Sequence, residues 1–361
     1  MEKILEKAYA DKNDNSIETC LKLMILEGDK YALFKLAHFY SFKHNNEMAI
    51  SYYLEYLKYA NNCDAMYELA FAYDAMNNKR KSIKYYKMAY DINCCRSAFA
   101  LGLIHYGYPT NKNGKIDDSY FDVDKAIVYF QNACNMSYID KKQCDKITSE
   151  IYFTSMILLG EIFHKHLGDN KLALECYEVA TKSDIFKTKN DINNVMFNKM
   201  HRGIIFITMT QPGFINLDKC VKHLHILIDS GNVESNIILG LIHNGDHRCC
   251  STRCTSFCET HCVQGNHCKN HCSGIYFSQD EIEQYENKKD ITLALKHFLA
   301  GESVDATNIA TSELAYIYAS ELGFCDINKA FIYAAKFYKK TGKKYGIFKN
   351  YSDDDVEFYA Q

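Results

Sequence analysis

The sequence predicts an all-α chain, a solenoid of stacked helix–turn–helix repeats. Three observations carry this prediction. Proline occurs only twice in 361 residues, which favours long helices over Pro-punctuated β-structure. Hydrophobic residues make up 47% and charged residues 24%, so a large core can be buried. Finally, two amphipathic half-patterns alternate along nearly the whole chain, as expected of units that bury their apolar faces only by stacking on neighbours.

The first half-pattern, helix A, reads small-x3-Leu-small-x2-ring. It occurs at Ala32/Leu36/Ala37/Tyr40, Ala65/Leu69/Ala70/Tyr73 and Ser97/Leu101/Gly102/His105, then at Ser155/Leu159/Gly160/Phe163, Ser235/Leu239/Gly240/His243 and Ala310/Leu314/Ala315/Tyr318. Offsets of 0, 4, 5 and 8 share one side of a helix, with small residues where another helix must approach closely. The second, helix B, reads small-apolar-x-ring-ring: Ala49-Ile50-Ser51-Tyr52-Tyr53, Ser82-Ile83-Lys84-Tyr85-Tyr86 and Ala126-Ile127-Val128-Tyr129-Phe130. Looser copies start at Ala173, Cys220, Ala294 and Ala330. Packing accounts for every residue in both patterns, and the Tyr and Phe residues read as core and groove walls.

Leu-Gly or Leu-Ala followed by an aromatic, then Lys-Ala-x-x-Tyr-Tyr-x-x-Ala, resembles Sel1-like repeats, a branch of the tetratricopeptide-like superfamily. Lys125-Ala126-Ile127-Val128-Tyr129-Phe130 with Ala133 matches best, followed by Lys329-Ala330 with Tyr333 and Ala334. The resemblance covers roughly residues 32–340. It implies a right-handed α-solenoid and an adaptor or scaffold role, with a protein partner in an aromatic-lined groove. The glycines usual between the paired helices are mostly missing, and the unit around Met200–Thr208 is degenerate in its first helix.

The domain reading follows. Residues 1–31 carry one helical pattern (Ile17, Leu21, Met24, Ile25) suited to an N-terminal cap, and 32–243 hold Sel1-like/TPR-like repeats. A Cys/His-rich insert occupies 244–290, the final repeats 291–342, and an acidic tail with Asp353-Asp354-Asp355 residues 343–361. The polar stretch Thr181–Asn194 reads as a long inter-repeat loop where the array can bend.

The insert sits between a helix A ending near His243 and a helix B beginning near Ala294, and such insertions project from one face of a solenoid. It holds seven of the sixteen cysteines and four histidines. Cys250, Cys254, Cys258 and Cys262 recur every four residues, and Cys268 and Cys272 repeat the spacing after Gly265-Asn266. Neighbours at i and i+4 can share an ion. Four in a row along one helix span roughly 18 Å and cannot surround one ion. A hairpin turning at Gly265-Asn266 would bring Cys258 and Cys262 toward Cys268 and Cys272, with His267 or His271 replacing one of the last pair. Cys250 and Cys254, with His247, Cys249 or His261, would hold a second ion. One or two structural zinc ions are therefore the expected cofactor. Zinc supplies about 10–16 kcal/mol in finger peptides, against about 2–4 for a disulfide that cytosolic thiols would reduce. A disulfide knob in an oxidising compartment or oxidised particle, inert reduced thiols and transient binding of another soft metal stay open as alternatives. The other nine cysteines read as small buried residues.

Catalytic motifs fail. His261-Cys262-Val263-Gln264-Gly265 resembles a cysteine-phosphatase loop, yet Cys268 stands where the phosphate-gripping arginine belongs. Gly107 to Gly114-Lys115 is not a phosphate loop, because the spacing is wrong and Ile116 replaces Ser/Thr. His164/His166 and His223/His225 face different directions and read as surface and groove residues. The chain is expected not to be an enzyme and to take no small-molecule substrate. A net charge of −3 argues against nucleic acid. No apolar segment approaches the roughly 20 residues of a membrane span, and the N-terminal segment has no apolar core of a signal peptide, so the expected location is the cytoplasm. The runner-up function makes the insert itself the working element, binding metal or nucleic acid or responding to redox state.

Overall fold

The structure, a computed structural model, describes residues 1–109, 118–139, 146–183, 191–244, 279–321 and 326–344, and among them it is all-α without a strand. The chain forms two compact units, Met1–Asn193 and Asn194–Gln361.

The first unit opens with α1 (Glu2–Ala10) and α2 (Asp14–Leu26), followed by four A/B pairs. These are α3 (Tyr31–Phe42) with α4 (Asn46–Tyr56), α5 (Cys63–Ala75) with α6 (Lys79–Asp91), α7 (Cys95–His105) with α8 (Val123–Ile139), and α9 (Lys146–Ile162) with α10 (Asn170–Thr181). Residues 1–31 thus hold two helices where the sequence pattern suggested one. Asn13 breaks the run by accepting from the Ser16 N–H to start α2, whose Ile17, Leu21 and Met24 join the core of the first pair.

The second unit takes α11 (Asp191–Thr210) from Asn194 onward, then α12 (Leu217–Asp229), α13 (Ser235–His243), α14 (Gln279–Asn287), α15 (Ile291–Gly301), α16 (Ile309–Ser320) and α17 (Ile327–Thr341). Here α13 pairs with α15, and α16 with α17. The helix α14 lies inside the 244–290 stretch that the sequence assigned wholly to the insert. Its Glu281 Oε1 accepts from the Gly213 N–H at 2.6 Å and its Gln284 Oε1 from the Leu217 N–H at 3.4 Å, so α14 is tied to the segment that leads into α12.

The half-patterns translate directly into packing. The leucines at offset 4 of helix A (Leu36, Leu69, Leu101, Leu159, Leu239, Leu314) are all buried, as are the small residues that open each helix B. The second ring of helix B (Tyr53, Tyr86, Phe130, Tyr177, Phe298) fills the space against the small residue at offset 5. A Cβ added at Gly102 would stand 2.6 Å from the Phe130 ring, at Gly160 2.8 Å from Tyr177, and at Gly240 2.6 Å from Phe298. Those glycines are small because a ring sits on them.

One device closes every A–B connection. The side chains of Asn45, Asn78, Asp122, Asp169, Asn216, Asp290 and Asp326 each accept from the backbone N–H three residues on, capping helix B. Just before two of these caps, His44 and Asn77 adopt φ of +58°, the left-handed conformation that Gly168 supplies before Asp169. His44 and Asn77 thus hold this conformation without the freedom of a glycine, at a cost of about 1–2 kcal/mol each, less for asparagine.

Candidate interaction site

Five helix pairs present a stacked pair of rings beside the A–B connection. The residue at offset 8 of helix A lies parallel to the first ring of helix B in Tyr40–Tyr52 (5.6 Å, 2°), Tyr73–Tyr85 (5.6 Å, 7°) and His105–Tyr129 (5.5 Å, 9°). In the second unit His243–His297 (5.6 Å, 12°) and Tyr318–Tyr333 (5.8 Å, 9°) repeat it. In α9/α10 the slot opposite Phe163 is Cys176 and the pair is absent. Such contacts contribute about 0.5–1.5 kcal/mol beyond area burial, so the rings fasten A to B independently of the core leucines.

A second set of rings lies partly buried on the A helices of the first unit. At offset 2, Phe34 tilts against Tyr53 (5.9 Å, 58°), Tyr67 against Tyr86 (5.6 Å, 54°) and Phe99 against Phe130 (5.9 Å, 54°). Offset 6 adds exposed His38 and half-buried Phe71 and Leu103. The two rows lie one turn apart on neighbouring helices, since α3 packs beside α5, Arg96 of α7 sits over Tyr67 of α5, and α7 packs beside α9. They end at α9, where Ile157 and Glu161 are buried and Glu161 accepts from the Tyr108 hydroxyl at 3.2 Å. The polar component is Arg96, seated 4.4 Å over the Tyr67 ring and paired with Glu68 at 3.2 Å and with Asp64. Burial pushes the Glu68 carboxyl above its ordinary range, and Arg96 opposes that shift.

Histidines cluster in the second unit in ways the sequence reading missed. His223, read as a surface or groove residue, is buried and its Nδ1 lies 2.6 Å from Nδ1 of buried His201, so one ring donates and the other accepts. The rings of His225 and His243 lie 6.4 and 5.6 Å from that of His297. The amide oxygen of Asn236 lies 3.0 Å from His297 Nδ1, and the Lys288 carbonyl 3.1 Å from His243 Nδ1. Burial, then the neighbouring His223, holds His201 down at about 3. Burial, then His243, His225 and Lys296, holds His297 at about 4. In the first unit His164 Nδ1 meets the Asn170 side chain at 2.7 Å and His166 packs edge-on to Tyr106. The signal for these contacts was weak: spacing on one helix does not say which neighbour a side chain meets.

The predicted metal residues Cys250, Cys254, Cys258, Cys262, His267, Cys268, His271 and Cys272 lie outside the described residues, and among the described residues no group of three His, Cys, Asp or Glu side chains is placed to hold a metal ion. The root of the insert is described. His243 ends α13, and the Asp290 N–H donates to its carbonyl at 2.7 Å. Seven described cysteines outside the insert are free thiols, four of them buried. Burial pushes the Cys63 and Cys176 thiols up to about 11 and Cys134 to about 12, which disfavours the reactive thiolate. Among the described residues no helix is long and apolar enough to cross a membrane.

No protein-family profile matches the chain, and no curated protein matches it by sequence. Among solved structures it is similar to a Sel1 repeat protein from Oxalobacter formigenes, with 15% identity and a TM-score of 0.40 over 85% of this chain and 99% of that one. It is also similar to c5321, a protective antigen of uropathogenic Escherichia coli described as displaying an SLR fold, with 13% identity and a TM-score of 0.26 over 89% and 79%. Among the described residues the chain's own geometry is that of an all-α repeat protein.

Proposed function

We propose that the chain is a non-enzymatic protein-interaction scaffold whose first unit binds a segment of a protein partner along its A-helix face. The observation supporting this is the row Phe34, Tyr67 and Phe99, partly buried and each already held by a buried ring behind it. Rings seated in advance lose little freedom on binding, and aromatic and arginine side chains are the usual anchors of an interface. Arg96, held over Tyr67 by Glu68 and Asp64, adds a planar guanidinium face at the centre of that row.

In the same reading the insert folds around one or two structural zinc ions, with ligands drawn from Cys250, Cys254, Cys258, Cys262, Cys268 and Cys272 and from His267 or His271. What supports this is the density of thiols and imidazoles in a stretch with few large apolar residues. The second reading makes the insert the working element, as a metal or nucleic-acid binder or a redox-responsive module. It is favoured by the insert's position outside the repeat patterns, between residues whose backbones the His243–Asp290 bond holds together.

Affinity capture with three forms of the full chain separates the readings. The scaffold reading expects Phe34→Asp with Phe71→Asp to lose the partner that wild type captures, and deletion of 246–274 to keep it. The opposite pattern overturns it in favour of the insert.

A further inference from the structure

The helix α6 carries an unbalanced charge pattern that the fold does not need. Arg80, Lys81, Lys84 and Lys87 are all exposed, and among the described residues none has a carboxylate within ion-pair distance. Only Lys79 of this helix is paired, with buried Asp74 at 2.6 Å. Arg80 and Lys84 are four apart, and Lys84 stands three from both Lys81 and Lys87, so like charges are neighbours along one face and oppose helix formation. The contrast is α17, whose Lys329 pairs with Asp326 and whose Lys336 and Lys340 share Glu302. Two of the α6 cations are also positioned. Lys81 lies 5.0 Å over Tyr73 and Lys84 5.6 Å over Tyr85, the two rings being the stacked pair of this repeat.

We propose that this face of α6 binds an acidic peptide segment of a partner protein. Charge complementarity identifies the occupant. From Arg80 to Lys87 the helix rises about 10 Å, the length of about three residues of extended chain. Three or four clustered carboxylates therefore match the four cations. Three of these cations are lysine ammonium groups, compact point charges that suit single carboxylates. So short a footprint on a chain of net charge −3 does not meet the many phosphates on which nucleic-acid affinity depends. The site is separate from the ring row on the A helices and stands or falls independently of it.

The test is fluorescence anisotropy of a fluorescein-labelled hexapeptide containing four consecutive aspartates, titrated with the full chain. Arg80→Gln/Lys84→Gln/Lys87→Gln is expected to weaken binding at least about tenfold, while raising salt from 50 to 300 mM weakens the wild type. Lys3→Gln/Lys171→Gln/Lys222→Gln, with the same net charge, should change it less than about twofold. Circular dichroism reports whether each variant is folded, and Lys84→Glu alone supplies a milder second variant. Equal losses in both triple variants would overturn the proposal, since net charge would then be the cause. Tighter binding of phosphatidylserine vesicles or single-stranded RNA than of the peptide, with the same dependence on α6, would overturn the peptide as occupant.

Discussion

The Asp290 N–H and the His243 carbonyl are 2.7 Å apart, although the whole Cys/His-rich stretch lies between them in the chain. The same bond closes the short connections, from Asn45 to Tyr40, Asn78 to Tyr73, Asp169 to Phe163 and Asn216 to Thr208, and the longer ones from Asp122 to His105 and Asp326 to Tyr318. The repeat therefore has one closure, and the length of chain inside it is free to vary. Loop-closure entropy grows only slowly with length, about 0.6 kcal/mol per doubling, which is why so long an excursion is tolerated.

Replacing residues 245–278 by a short Gly/Ser linker, with α14 retained, should leave the second unit folded. Far-ultraviolet circular dichroism and the melting temperature are expected to stay near wild type. A large loss of helix would show that the insert belongs to the core rather than to a closed loop.

Gly102→Ala should destabilise the first unit by about 1–3 kcal/mol, because the new Cβ meets the fully buried Phe130 ring at 2.6 Å. The helix propensity gained from alanine, about 1 kcal/mol, opposes this without cancelling a clash against a ring that cannot retreat. Phe130→Leu in the same chain should recover part of the loss. Urea unfolding of the two single variants and the double variant gives the coupling, and strict additivity would sink the explanation.

Tyr86→Phe should stabilise by roughly 1 kcal/mol. The Tyr86 hydroxyl is buried and meets no hydrogen-bond partner among the described residues, so its desolvation is not offset. The equivalent residues Phe130 and Phe298 show the position accepting a plain phenyl ring. An unchanged or lower urea midpoint would mean that the hydroxyl is satisfied after all.

Stability of the second unit should fall as the pH drops below about 6.5. Unfolded histidine takes up a proton near that pH, whereas folded His297 does so only at about 4 and His201 at about 3. Through that window the unfolded state binds more protons, so stability present at neutral pH is lost on acidification, at up to about 1.4 kcal/mol per pH unit for His201. His297, nearer solvent, adds a smaller share. Melting temperatures between pH 7.5 and 5 should show the decline, and His201→Asn should flatten it.

Protein purified under reducing conditions is expected to contain one or two zinc per chain by elemental analysis. Thiol titration should find the insert's cysteines masked until a chelator is added, while Cys20, Cys94, Cys134 and Cys220 stay protected by burial. Metal-free protein with a fully reactive insert would remove the zinc proposal.

Much of this architecture was legible in the sequence. The small–Leu–small–ring spacing demanded one apolar face per helix, and all six of its leucines are buried. The caps were legible too, though the pattern reading passed over them: an Asn or Asp stands four residues before each of Ala49, Ser82, Ala126, Ala173, Cys220, Ala294 and Ala330. Residues 1–31 were harder, since Asn13 interrupts a run whose apolar spacing looks continuous. The helix α14 was hidden as well, because a polar helix held by Glu281 and Gln284 has no strong apolar period.

By itself the sequence determined the helices, their alternation and the residues each must bury, because these follow from spacing within one helix. It also marked the Cys/His stretch as foreign to the repeat. Tertiary structure alone decided which rings meet, that His201 faces His223, and that the chain divides into two units. Those contacts join side chains on different helices, and the side of a helix that a residue occupies does not reveal which neighbour will pack there.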